Sequence, residues 1–234
     1  MILGHIGVRA GSKGVPGKNM KLLQGKPLLQ WSLDHLLDHP MIDHVVISTD
    51  GPEMYAFGQD RGALDIELRP AELATDTASK WDVWRHALTA SEALIDEPIE
   101  VFIDLDVTSP LRDADDITNV ITLFREERPD MVMTCTPAHR NPYFNLVEPD
   151  ETGALHVSKK LPGNIVSRQQ APVVYEHTGV CYAIRPDYIK EVDWIYEGRV
   201  IPYVAPQERC FDIDNPLDFE IADWLMGRKL AAME

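Results

Sequence analysis

No aspartate or glutamate occurs before Asp34, in a chain of 234 residues whose 38 acidic side chains outnumber its 22 Lys and Arg and give a formal net charge of −16. That gap is local and one-signed, so it marks a surface from which carboxylates are kept away. Other absences exclude whole classes of function. There are only three cysteines, Cys135, Cys181 and Cys210. They are odd in number and far apart, which argues against a disulfide frame or a zinc knuckle and for reduced thiols in a cytoplasmic protein. No histidine pattern accompanies them and no serine sits in a nucleophile elbow, so nucleophilic catalysis is not expected. His35 and His39 have helical spacing, but no third ligand is evident. No apolar run reaches the roughly 18 residues that a membrane span needs. Residues 1–8 lack the basic region and cleavage site of a signal peptide. The acidic balance argues against nucleic acid as the main partner.

Cations and glycines fill the acid-free stretch. Arg9, Lys13, Lys18, Lys21 and Lys26 all precede Asp34, and the run from Arg9 to Asn19 holds three cations and three glycines in eleven residues. It follows Ile2–Val8, an apolar run that reads as a buried strand. Glycines let the backbone approach an anion, and cations with free N–H groups hold its charge. A solvated glycine-rich turn is the plain alternative. The coincidence of strand, glycines and charge asymmetry favours a site for a polyanionic small molecule. A Walker A loop would need Gly at 12 and Ser or Thr at 19, where this chain has Ser12 and Asn19. A Gly-x-Gly-x-x-Gly dinucleotide fingerprint is also missing.

Strand-like and helix-like segments alternate up to residue 137. Strands are expected at Ile2–Val8, Val45–Ser48, Leu64–Leu68, Val101–Leu105 and Met131–Cys135. Helices are expected at Leu28–Leu37, from Pro52, at Trp81–Leu94 and at Asp115–Glu127. The rhythm predicts an α/β fold with a parallel sheet covered by helices. Ligands of such sheets bind beyond the carboxyl ends of the strands, so the loops at 9–19, 49–51, 106–112 and 211–214 should converge. Residues 138–176 break the rhythm with four prolines and read as an irregular or hairpin insertion and an interface candidate. The pattern resumes at Gly179–Ile184 and closes with a helix from Pro216 to Met226.

Four further groups carry chemistry. In the run from Arg69 to Ser79, Ser79 could cap a helix, while Arg69 could pair with phosphate, with base edges or with Glu72. Asp104 and Asp106 alternate at a strand end and share a face, a pattern that suits Mg²⁺; the alternative is a turn with an ion pair to Arg112. Asp212 and Asp214 also share a face if extended, and a metal would relieve their repulsion, unless Asp214 or Asn215 caps the Pro216 helix. Arg168 could clamp a carboxylate or serve an oligomer contact.

Taken in order, the Arg9–Asn19 loop, Ser48-Thr49-Asp50, the Arg69–Ser79 run, Thr108 to Arg112, Arg168-Gln169-Gln170, Gly179 to Tyr182 and Asp212 to Asp214 resemble the CMP-sialic acid synthetase (acylneuraminate cytidylyltransferase) family. The match runs over nearly the whole chain. The resemblance implies a Rossmann-like nucleotidyltransferase core with a mainly parallel sheet, made by residues 1–137 and 177–234. It implies a small inserted dimerisation and acceptor-sugar segment at 138–176, a homodimer, Mg²⁺ as cofactor, and CTP and a nine-carbon keto-acid sugar as substrates. Arg9, Ser12, Lys13, Lys18 and Asn19 would then lie on the CTP loop, with Arg69, Ala78 and Ser79 on the cytidine side and Asp106 nearby. Arg168, Gln169, Thr178 and Tyr182 would belong to the acceptor region. Asp212 and Asp214, with Asp106 as a further candidate, would hold Mg²⁺. Lys18, Arg9 and Asp212 would form the catalytic set. Two departures stand out. The family usually has Gln where this chain has Asp106, and Asn-Gly where it has Thr178-Gly179. Both lean toward a bacterial sialic-like sugar of the legionaminic or pseudaminic type. A CMP-Kdo-type or other sugar nucleotidyltransferase and a non-catalytic nucleotide-binding module are the competing readings.

Overall fold

The computed structural model describes residues 1–11, 14–163 and 165–233. In chain order the strands are β1 (Ile2–Gly7), β2 (Leu22–Leu23), β3 (Lys26–Pro27), β4 (His44–Ser48), β5 (Val101–Asp104), β6 (Met131–Pro137), β7 (Val147–Pro149), β8 (Leu155–Val157), β9 (Tyr175–Ile184) and β10 (Val200–Val204). The α-helices are α1 (Leu28–Leu37), α2 (Pro52–Gln59), α3 (Lys80–Glu92), α4 (Ala114–Glu127), α5 (Pro186–Glu191) and α6 (Pro216–Ala231). Six strands form the main sheet in the order β10-β6-β9-β5-β1-β4. β1 runs parallel to β4 and β5, β10 runs parallel to β6, and β9 alone lies antiparallel between β5 and β6.

The sheet is apolar on both faces, as a mainly parallel sheet between helix layers must be. One face packs on α1, α4 and α6 through residues such as Leu33, Ile121 and Phe219. The other packs on α3 and α5 through Trp84, Leu88 and Ile189. Helix starts are set locally. Asp113 and Asp116 form a capping box on α4, whose Ile117, Val120, Ile121 and Phe124 make one buried stripe. Asn215 caps α6 by accepting from Asp218 N at 3.0 Å, with Pro216 in the first turn. Of the two candidates for this cap, the structure uses Asn215.

Two elements differ from the expectation. Leu64–Leu68 makes a single parallel bridge, Val46 to Leu64, and then leaves the sheet. Glu67 has φ of +64°, a left-handed turn that no extended strand tolerates. β10 was not foreseen because Pro202 interrupts its apolar pattern, but β10 is an edge strand, where a missing N–H is harmless. Between β6 and β9, whose pairing runs out to Pro137 and Tyr175, the chain leaves the sheet and carries the separate antiparallel hairpin β7–β8. Among the described residues, no helix is long and apolar enough to cross a membrane.

Candidate active site

β1 sits at the point where the chain's order reverses, with β4 on one side and β5 on the other. A crevice opens beyond the carboxyl ends of such neighbours. The expected loops meet there. Ala10 N donates to Asp50 Oδ1 at 2.8 Å, Asn19 Nδ2 donates to Arg9 O at 3.0 Å, and Ile213 N donates to Thr108 O at 2.9 Å.

Two clefts adjoin in this crevice. The first, of about 240 Å³, is lined on its floor by His5, Gly7 and Val8 and on its walls by Arg69, Ala78, Lys80 and Trp84. The second, of about 300 Å³, is lined by Gly14, Lys18, Asn19, Thr108 and Asp214. Gly7, Val8, Arg9 and Asp106 border both. A larger cleft of about 490 Å³ around Leu111, Arg209 and Lys229 touches none of the expected site residues. Two of its cations already pair with Asp113, at 3.0 Å from Arg209 and 2.5 Å from Lys229.

In the second cleft the basic loop lies against the 212–214 segment. A Cβ on Gly14 would fall 2.0 Å from Asp214 O, so only glycine permits this approach. Lys18 Nζ donates to Ile213 O at 2.7 Å. Burial lowers the Lys18 pKa, partly opposed by Asp212, Asp214 and Asp106. Burial also raises the Asp212 pKa, and Asp214 and Asp106 push it further up. In both groups burial outweighs the opposite charge nearby, which is three carboxylates for Lys18 and Lys18 itself for Asp212. Among the described residues, no group of three or more His, Cys, Asp or Glu side chains is arranged to hold a metal ion. Mg²⁺ usually takes only one or two carboxylates and completes its shell with phosphate oxygens and water. Asp212 and Asp214, two carboxylates beside the second cleft, fit that donor set.

The first cleft is built differently. His5 and Asp104 face each other across β1 and β5, and His5 Nδ1 donates to Asp104 Oδ1 at 2.6 Å. Lys80 Nζ lies 2.9 Å from Asp104 Oδ2 and 2.6 Å from Asp106 Oδ1. Burial depresses the Lys80 pKa, but Asp104 and Asp106 outweigh it and hold it well above the ordinary value. Burial raises the pKa of Asp104, but Lys80 and His5 bring it below the usual carboxylate range. Burial lowers the His5 pKa, against the pull of Asp104.

The remaining expected residues sort plainly. Arg9 reaches Asp76 at 2.6 Å across the cleft mouth. Arg69 is buried and donates to Ser48 Oγ at 2.9 Å and to the Ser48 carbonyl, not to Glu72. Burial lowers its pKa to about 10. Ser79 caps α3 by accepting from Trp81 N at 3.1 Å. Arg112 forms no surface ion pair: it is fully buried and donates to Val180 O, Ser32 Oγ and Asp106 O. Thr178 donates to Thr134 O at 3.1 Å. Tyr182 is 3% exposed and lies behind the first cleft, its hydroxyl donating to Asp106 at 3.4 Å and its ring packed against Lys80 and Trp84. Arg168 and Gln169 lie apart on the insertion, where Arg168 donates to the His139 carbonyl. Ser12 and Lys13 lie outside the described residues. His5 and Lys80 were missed by the sequence reading. The signal for His5 was a lone polar residue inside an apolar strand. Lys80 gave none beyond its place next to Ser79.

A family model described as Cytidylyltransferase matches residues 6–190. The CMP-N,N'-diacetyllegionaminic acid synthase of Campylobacter jejuni is 36% identical over 228 residues, covering 97% of this chain and 96% of that protein. An N-acylneuraminate cytidylyltransferase of Escherichia coli is 29% identical over 229 residues, covering 97% of this chain and 52% of that longer protein. In fold, the chain is similar to a CMP:2-keto-3-deoxy-manno-octonic acid synthetase solved with CTP. The TM-score is 0.67 at 18% identity, covering 97% of this chain and 99% of that one.

Proposed function

The chain belongs to the cytidylyltransferase family, and from that premise we propose that it joins CTP to the anomeric 2-hydroxyl of a nonulosonic acid. In the reaction the hydroxyl oxygen bonds to the α-phosphorus, the bond from that phosphorus to the bridging oxygen breaks, pyrophosphate leaves, and the hydroxyl proton passes to solvent. The observation that carries this reading is the pair of adjoining clefts, one sized for a base and lined by Arg69 and Ala78, the other flanked by Lys18 and Asp214. A nucleotide spanning them would place its base in the first and its phosphates in the second. The near full-length similarity to a legionaminic acid synthase supports a nine-carbon acid of that type as acceptor.

Positioning and charge neutralisation do most of the work in phosphoryl transfer. Lys18 and Arg9 would hold phosphate oxygens as negative charge develops on the leaving group. Asn19 fixes the loop by its bond to the Arg9 carbonyl. Asp212 and Asp214 would hold Mg²⁺, which would supply positive charge to offset that of the triphosphate. The insertion would serve as a dimer contact and bring Arg168 and Gln169 to the acceptor. In support, Leu155 is 69%, Val166 75% and Val173 76% exposed in the single chain.

The test is pyrophosphate release with CTP and Mg²⁺ against N-acetylneuraminic, diacetyllegionaminic and pseudaminic acids and Kdo. Release is expected with a nine-carbon acid, diacetyllegionaminic acid above the others. Release with Kdo alone would make the eight-carbon reading correct. CTP binding by calorimetry with no release from any acid would favour the non-catalytic module.

A further inference from the structure

Of the four residues that border both clefts, Asp106 is the carboxylate, and it is held from several sides. Lys80 Nζ takes Oδ1 at 2.6 Å. The Tyr182 hydroxyl donates to Oδ2 at 3.4 Å and itself lies 2.8 Å from His177 Nε2. Asp106 N donates to Gly179 O at 3.0 Å. A Cβ on Gly179 would fall 2.2 Å from Asp106 Oδ2, so the glycine at 179 is what lets the carboxylate seat there. Lys80 is fixed in turn. Asp104, 1% exposed, grips its ammonium at 2.9 Å from below. The ammonium also lies 4.3 Å from the centre of the Tyr182 ring and 5.1 Å from that of Trp84.

We propose that Lys80 is a positioning residue that locks Asp106 as an acceptor for a substrate sugar hydroxyl and occupies the place a metal ion would take on that carboxylate. Asp106 is 29% exposed at its side chain, and that exposed part borders both clefts. A ligand with its base in one cleft and its phosphates in the other must pass a sugar over this seam. An ionised carboxylate is acceptor-only, so it selects hydroxyl donors and repels phosphate. A cation at 2.6 Å prevents that repulsion from spreading to the triphosphate. The hydroxyl can come from the ribose of CTP or from the acceptor acid. The chemistry is the same, and the inference rests on the reaction proposed above.

The test measures KM for CTP and for diacetyllegionaminic acid in the wild type, Asp106→Asn, Lys80→Met and the double variant. Each single variant should raise one KM by about tenfold, with a smaller change in kcat. The double variant should be no worse than either single, because the two residues act as one unit. If the ribose is the donor, the wild type discriminates against dCTP and the variants do not. If the acceptor is the donor, only its KM rises. The Mg²⁺ concentration for half-maximal rate should stay constant across the set. A large rise of that concentration in Asp106→Asn, with both KM values unchanged, would make Asp106 a metal ligand and overturn the proposal. Unchanged KM values throughout, or additive losses in the double variant, would overturn it too. Lys80→Met strands Asp104 without its counter-charge, so Lys80→Met/Asp104→Asn, which removes the charge and leaves Oδ1 to accept from His5, serves as the folding control. It should recover the melting temperature and keep the raised KM. Recovery of KM as well would reduce Lys80 to a packing role. Wild-type silence with every acid would count against the reaction. CTP and dCTP affinities by calorimetry, which need no turnover, would still report on the ribose contact, and their equality in every variant together with that silence would end the proposal.

Discussion

The crevice contains two sets of one lysine and two aspartates, and they are in opposite electrostatic states. Around Lys80 the charges are satisfied: the ammonium touches both Asp104 and Asp106. Its pKa is raised, and that of Asp104 is lowered. Around Lys18 they are not: the ammonium gives a hydrogen bond to the Ile213 carbonyl. Its pKa is lowered by burial, and that of Asp212 is raised. The same residue types therefore build a rigid wall on one side and an incomplete shell on the other. Shifts of this kind, in a cleft, are what a site for an incoming charged ligand shows.

The comparison is most sharply broken at Asp212. Asp212→Asn should lower turnover by about a thousandfold, checked by pyrophosphate release at saturating CTP, with an unchanged circular dichroism spectrum. On the satisfied side, Lys80→Met should act on stability. Removing one partner of a buried pair costs about 3–5 kcal/mol when both are buried. Because the Lys80 side chain is 41% exposed, about 2 kcal/mol is expected by urea unfolding. Gly179→Ala should cost about 1–2 kcal/mol, since its Cβ meets the Asp106 carboxylate, and should weaken substrate binding in parallel.

The smallest effect is the most diagnostic. Asp212 has a raised folded pKa, so its favourable linkage is present below the unfolded carboxylate value and is lost as pH rises through the folded one. At neutral pH the ionised group costs stability. Asp212→Asn should raise the melting temperature by about 2 °C at pH 7, and the gain should vanish below about pH 4. Asp104 behaves oppositely. Its folded pKa is depressed, so its contribution is present above the unfolded value and is lost as pH falls through the folded one. A gain at pH 7 from Asp104→Asn, to match that of Asp212→Asn, would erase the distinction between the two sets.

Much of this crevice was legible in the residues. Glycines, cations and a leading apolar strand located the loop at 9–19, and alternation put Asp104 and Asp106 on one face. The partner of those aspartates was not legible. Lys80 stands 24 and 26 positions away and reaches them only because α3 packs on the sheet over β1, the neighbour of β5. Arg112 shows the same limit: its charge suggested the surface, but backbone carbonyls and Ser32 satisfy it inside the core. Local patterns report periodicity and turn chemistry, whereas the pairing of distant charges is decided by the order of strands in the sheet. The strand at β10 was hidden by Pro202, whose cost depends on edge position, and that too is a property of sheet order.

The central claim is tested most directly by pyrophosphate release from Lys18→Ala beside Lys80→Met/Asp104→Asn, both with saturating CTP, Mg²⁺ and the preferred acid. The account predicts that Lys18→Ala loses kcat by about a hundredfold at an unchanged melting temperature, while the Lys80 double variant keeps kcat within about tenfold and loses ground in KM. Near wild-type kcat in Lys18→Ala, with collapse of kcat in the Lys80 double variant, would contradict it and place the reacting phosphate on the other wall.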